Sequence, residues 1–238
     1  MLADDGVAQV QSGTISPSIH LASTSLLRLI DFIADELPKW RDRPERKPET
    51  AETVLTSQFC AHMNSASRRS SWDFLQFRTE EPDEVVSGRK LDLVPAPSGC
   101  VVWIDGRRHF DFDPLLPIEC KRLPTPIGIK RDKLEYLYSR YSSTGGVDRF
   151  KEGRHGGVHA LGAMIGFIQD GEIAPWEKRL ARWIKTLARA KVGGWSVADR
   201  VTLRRYDAAL RLGILQSLHT RSAGLGDIEL RHLWIEMN

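Results

Sequence analysis

The chain has 238 residues, 41% of them hydrophobic and 27% charged, with 34 Lys and Arg against 31 Asp and Glu for a net charge of +3. One well-cored globular domain is the expectation at that length, and the composition excludes global disorder and a strongly polycationic protein. Cys60, Cys100 and Cys120 lack zinc or disulfide spacing, which points to reduced thiols in a cytoplasmic protein. The opening "MLADDGVAQVQSG" has acids where a signal peptide needs bases, and the longest apolar run, "VHALGAMIGFI", is too short to span a bilayer, so no membrane contact is expected.

In chain order, residues 1–17 are polar and aperiodic and read as a flexible arm, followed by a single domain over 18–238. "STSLLRLIDFIADEL" puts Leu26, Leu29, Ile30, Ile33 and Leu37 on one helical stripe, with Pro38 as the expected stop. A charged, proline-rich linker precedes a second helix over roughly 50–64. Four strand-like runs follow, "WDFLQFRTE", "GRKLDLVPA", "CVVWIDG" and "LLPIECKRL", which read, at least in part, as a meander. "IKRDKLEYLYSRY" reads as a helix and "HALGAMIGFIQDG" as a strand. In "PWEKRLARWIKTLARA" a helix carries Trp176, Leu180, Trp183, Ile184 and Leu187 as its core stripe. "RVTLRRY", "ILQSLHTR" and "IELRHLWIEMN" complete a C-terminal region over 175–238 as strands. The sum is a mixed α/β or α+β layer protein.

Chemistry concentrates in "DPLLPIECKRLPTP". Side chains alternate along a strand, so Glu119 and Lys121 share one face about 7 Å apart while Ile118 and Cys120 face the other way. Ionised groups in so apolar a run need partners, because burying them alone costs several kcal/mol. Asp92, flanked by Leu91 and Leu93 in an upstream strand, supplies a second misplaced carboxylate. If the two strands pair, both carboxylates converge on one divalent cation beside Lys121, and two hard oxygen ligands plus waters suit Mg²⁺.

Asp92 followed by Glu119-Cys120-Lys121 resembles the signature of the PD-(D/E)xK nuclease superfamily, with Leu91 where the family name has proline. The resemblance spans roughly residues 50–169. It implies a restriction-endonuclease-like core, a central mixed sheet flanked by helices, and an acid from the helix before the first core strand, a place that Glu52 occupies. It also implies Mg²⁺-dependent hydrolysis of phosphodiesters, with Mn²⁺ able to substitute and DNA as the expected substrate. Asp92, Glu119 and the Cys120 carbonyl would hold the metal, and Glu52 a second ion or a water of its shell. Lys121 would orient or help deprotonate the attacking water. Such enzymes often serve as effectors of bacterial defence or restriction systems, so the partners implied are nucleic acid and a second copy of the chain or a defence-complex protein.

Blander readings stand beside these. Glu119 and Lys121 could form an ordinary ion pair, Asp92 cap a turn, and Glu52 simply favour a helix dipole. The fold could also belong to an inactive nucleic-acid-binding or assembly subunit, or to a structural partner protein. The glycine-rich loop "YSSTGGVDRFKEGRHGGVH" offers Arg149, Lys151, Arg154 and His155 to a phosphate backbone, or is solvated surface. "RVTLRRYDAALR" is the next candidate for that role.

Overall fold

The computed structural model describes residues 17–84, 86–128, 131–141, 145–221 and 224–238. In chain order the elements are β1 (Ser18–Leu21), α1 (Ser25–Arg41), α2 (Glu52–Ser67), β2 (Leu75–Pro82), β3 (Lys90–Pro97), β4 (Val101–Ile104) and β5 (Arg107–His109). Then come β6 (Ile118–Leu123), α3 (Gly146–Lys151), β7 (Leu161–Ile168), α4 (Ile173–Arg189), a 3₁₀ turn (Val197–Asp199), β8 (Thr202–Asp207), β9 (Leu212–His219) and β10 (Ile228–Glu236). The class is α+β: a seven-stranded mixed sheet in the order β2-β3-β6-β7-β10-β9-β8 and a small sheet β1-β4-β5, flanked by four helices.

In the large sheet, strands β6, β7 and β10 run parallel at the centre, and the remaining neighbours are antiparallel. Covered on both faces, β7 is a continuous apolar run, "LGAMIGFI", instead of an alternating one. Helices α1 and α2 close one face through Leu29, Ile33, Leu37, Trp40, Leu55 and Phe59, which pack on Ile118, Cys120 and Phe167. The opposite face is closed by α3 and α4, where Val147, Phe150, Trp176, Leu180 and Ile184 meet Leu123, Met164 and Trp234. Each such large side chain taken from water contributes about 1.5–3 kcal/mol. In β6, therefore, Glu119 and Lys121 point with Leu123 toward the α3 and α4 layer, while Ile118 and Cys120 point toward α1 and α2.

Several sequence expectations are corrected. Helix α1 does not stop at Pro38 but runs on to Arg41, its end closed by the Asp42 N–H on the Pro38 carbonyl at 2.9 Å. The four-strand meander is broken, because β4 leaves the large sheet to pair with β1 and β5. No helix forms over the described residues 131–141. There the carbonyls of Glu135, Tyr136 and Leu137 accept from the N–H groups of Gly146, Val147 and Asp148, and Asp132 accepts from the Leu134 N–H at 3.1 Å. Those acceptors are spent on the first turn of α3, which leaves them unavailable to a helix of their own. The arm expected over residues 1–17 lies outside the described residues except for Pro17, whose carbonyl accepts from Val101 N–H.

Candidate active site

Strands β3 and β6 share a single bridge, Leu93 to Ile118, beyond which they splay. One step along that antiparallel register sets Asp92 opposite Glu119. The Asp92 carboxylate fills the splay and accepts the Cys120 N–H on Oδ2 at 2.8 Å, taking the place of a backbone partner. Glu52, in the first turn of α2, reaches the same point from the other side, accepting the Arg122 N–H on Oε2 at 3.0 Å. Three elements thus deliver three carboxylates to one position.

The ammonium of Lys121 stands at their centre. Its Nζ lies 2.8 Å from Glu119 Oε1, 3.1 Å from Glu52 Oε1 and 3.5 Å from Asp92 Oδ2, and it donates to the Cys120 carbonyl at 2.9 Å. All four oxygens that the sequence nominates for a metal or its water therefore face one cation. Hard oxygen donors of this kind suit Mg²⁺. At present the lysine is the cation they surround, and among the described residues no three His, Cys, Asp or Glu side chains stand as a preformed metal cage.

Glu119 is fully buried, yet it is held ionised. Burial pushes its carboxyl up, but the Lys121 charge, the His155 ring and the Arg149 charge outweigh that and hold it at about 2. Arg149 Nη1 donates to Glu119 Oε1 at 2.7 Å. His155 Nδ1 lies 3.1 Å from Oε2, at ion-pair distance but off the hydrogen-bond axis. Asp92 behaves oppositely: burial and the neighbouring Glu119 charge raise it to about 6, against the pull of Lys121 and the Cys120 N–H. Burial opposes the charge on Lys121, but the three carboxylates push its pKa well above the ordinary value, so it is no general base while they surround it. The buried Cys120 thiol is likewise pushed well up by burial and stays inert.

The loop residues nominated for phosphate contact are placed differently from that expectation. Residues 146–151 form α3, and its first turn sits so close to β7 and the 131–141 segment that a Cβ at Gly146 would lie 2.6 Å from Met164 Cε and 2.8 Å from the Tyr136 carbonyl. Lys151 is buried in an ion pair with Asp199 at 2.6 Å, and His155 is buried against Glu119, so neither can reach a nucleic-acid backbone. Arg149 points inward to Glu119. Only Arg154 keeps an exposed side chain, and it pairs with Glu152 at 2.9 Å. The physical reason lies in Val147 and Phe150, both fully buried, which drive this segment into the core.

A second polar system, not legible in the sequence, pins α3. Trp234 Nε1 donates to the Tyr136 hydroxyl (2.7 Å), which meets His232 Nδ1 (2.9 Å); His232 Nε2 meets Ser217 Oγ (2.8 Å). Ser217 Oγ then meets His219 Nε2 (2.7 Å), and His219 Nδ1 meets Asp199 Oδ1 (2.7 Å), the partner of Lys151. One proton arrangement satisfies the whole chain: each hydroxyl donates to a histidine and each neutral histidine donates onward, ending on Asp199. Burial keeps His232 neutral by pulling it down to about 3. Ser217, His219 and Asp199 have the connectivity of a nucleophile triad, but Ser217 is 3% exposed and His219 not at all, so no substrate can touch them. Their consequence is mechanical: Lys151 is anchored, and with it the helix that aims Arg149 at Glu119.

A cavity of about 230 Å³ leads to the carboxylates, lined by Glu52, Asp92 and the hydroxyl-bearing Thr53, Thr56, Ser57 and Thr79. Among the described residues no helix is long and apolar enough to cross a membrane. A scan against protein-family models, a search of curated proteins and a search of solved structures each find no match to the chain.

Proposed function

We propose that the protein is a metal-dependent nuclease with a restriction-endonuclease-like core, hydrolysing phosphodiester bonds of nucleic acid in the cytoplasm. One observation carries this reading: Glu52, Asp92, Glu119 and the Cys120 carbonyl, from three separate elements, surround a single cationic point. A structural ion pair needs one carboxylate for one ammonium, and here three converge. When bound, the divalent ion supplies water activation and stabilises charge on the phosphoryl oxygens. Asp92, Glu119 and the Cys120 carbonyl would hold it. Glu52, which lines the cavity, would orient a water there, and the Lys121 ammonium would neutralise charge developing on the phosphoryl oxygens. Arg149 and His155 keep Glu119 ionised and fixed, as positioning residues.

A second reading, a non-cleaving nucleic-acid-binding subunit with the same fold, is favoured by the engagement of Glu119 with Lys121, Arg149 and His155 together. Incubation with supercoiled plasmid, linear duplex, single strands and RNA, each with and without Mg²⁺ or Mn²⁺, separates the two. Metal-dependent breakage supports the enzyme, and binding without breakage under every condition supports the subunit.

A further inference from the structure

With Lys151 and His155 buried, the expected phosphate-binding loop does not form, and a nuclease of this kind needs its backbone contacts elsewhere. Helix α4 carries the largest unbalanced charge. From Lys178 to Ala198 the chain contains no Asp or Glu but six cations, Lys178, Arg179, Arg182, Lys185, Arg189 and Lys191. All six are exposed. Six charges exceed the net +3 of the whole chain, so the rest of the molecule is net acidic and this face carries a local excess of positive charge.

The spacing makes the face linear. At 3.6 residues per turn, Lys178, Arg182, Lys185 and Arg189 fall on one stripe, opposite the buried stripe of Ile173, Trp176, Leu180, Ile184 and Leu187. At 1.5 Å per residue the cationic stripe is about 16 Å long. A duplex carries one phosphate per roughly 1.7 Å of axis, so about ten phosphates lie along that length.

At the Trp176 turn of the helix, a groove of about 370 Å³ is lined by Lys133, Arg179, Arg182, Trp176 and Trp183 together with Pro124. Pro124 follows β6 directly and lies three residues beyond Lys121, within about 10 Å at strand rise. Helix α4 also packs on the same face of the sheet as Glu119, Lys121 and Leu123. The groove therefore connects the cationic stripe to the C-terminal end of the candidate catalytic strand.

We infer that the outer face of α4 is the phosphate-binding tract of this protein, seating a nucleic-acid duplex with Lys178, Arg182, Lys185 and Arg189 on its backbone. The inference deepens the nuclease reading and rests on it for the identity of the partner. An anionic membrane is the poorer occupant: a helix lying on a bilayer inserts its apolar face, and that face of α4 is spent on the core.

The test is duplex binding in EDTA, where the proposed metal chemistry is silent. Fluorescence anisotropy of a labelled duplex is measured across a salt series for the wild type and for the quadruple variant Lys178→Gln, Arg182→Gln, Lys185→Gln, Arg189→Gln. All four side chains are solvent-exposed, so circular dichroism and Tm should match the wild type; Lys178→Gln, Arg182→Gln alone serves as the fallback. The salt slope should fall by about 0.9 per contact, roughly 3.6 for four, and affinity at low salt by on the order of 10²-fold or more. An unchanged slope in a folded variant overturns the inference. So does a wild type that binds a poly-glutamate peptide but no duplex. Cleavage by the wild type with Mg²⁺ is scored separately: a lost slope without wild-type cleavage keeps the tract and sinks the nuclease, and cleavage with an unchanged slope does the reverse.

Discussion

Replacing Glu119 by glutamine keeps the side-chain volume and removes only the charge. In the folded protein this carboxyl is held at about 2, against an ordinary 4.5, because Lys121, His155 and Arg149 outweigh its burial. Through linkage, that displacement corresponds to on the order of 3 kcal/mol of folding stability. The folded value lies below the unfolded one, so the contribution is fully present above pH 4.5 and is lost as pH falls through about 2. Glu119→Gln should therefore be less stable than the wild type by about 3 kcal/mol at pH 7, or roughly 6–12 °C in Tm for a chain of this length. The deficit should shrink below pH 4.5, where the wild-type carboxyl begins to take up its proton in the unfolded state. Urea denaturation followed by tryptophan fluorescence at pH 7, 5.5, 4.5 and 3.5 measures the difference directly. A deficit that is absent, or that stays constant with pH, would show that Lys121, Arg149 and His155 do not hold this carboxylate.

Asp92 predicts the opposite sign. Its carboxyl is raised from 3.8 to about 6, so its ionisation costs stability as pH rises through that window. Asp92→Asn should thus be more stable than the wild type at pH 7, by on the order of 3 kcal/mol, and indistinguishable near pH 3; a lower Tm at pH 7 refutes this. Lys121→Met removes the ammonium from among three carboxylates and should cost about 3–5 kcal/mol without divalent ions. Millimolar Mn²⁺ should restore more of its Tm than it adds to the wild type, where the ammonium competes, and equal shifts in the two proteins would argue against a shared position. Tyr136→Phe leaves Trp234 Nε1 and His232 Nδ1 without their partner in a fully buried site and should cost about 2–4 kcal/mol, read from the same denaturation curves.

Asp92, Glu119 and Lys121 were legible because alternation along a strand is strict, and a charge within an apolar run has no bland explanation once its neighbours face the core. Glu52 was legible only through its place in the helix preceding β2. The sequence offers Arg149 and His155 to a phosphate backbone or to solvent because glycines surround them. The opposing signal was Val147 and Phe150, an apolar i, i+3 pair that pulls the segment inward, and six residues are too few for periodicity to speak. The Tyr136–His232 bond joins residues 96 apart, and no local pattern announces such a pair. The segment "KLEYLY" shows the limit from the other side: its apolar spacing suits a helix, but Asp132 and the N-terminus of α3 capture its polar groups first. Pro38 was overread as a stop because a proline in the last turn forfeits only one backbone bond while the flanking residues pack.

The central claim is that the carboxylates around Lys121 hydrolyse phosphodiesters with a divalent ion. Nicking of supercoiled plasmid by the wild type and Glu119→Gln, compared in Mg²⁺ and in EDTA at a temperature where both are folded, tests it most directly. The wild type should nick the plasmid in Mg²⁺ only, with the variant slower by at least about 10²-fold. Equal nicking by the two proteins, or nicking that persists in EDTA, would contradict it.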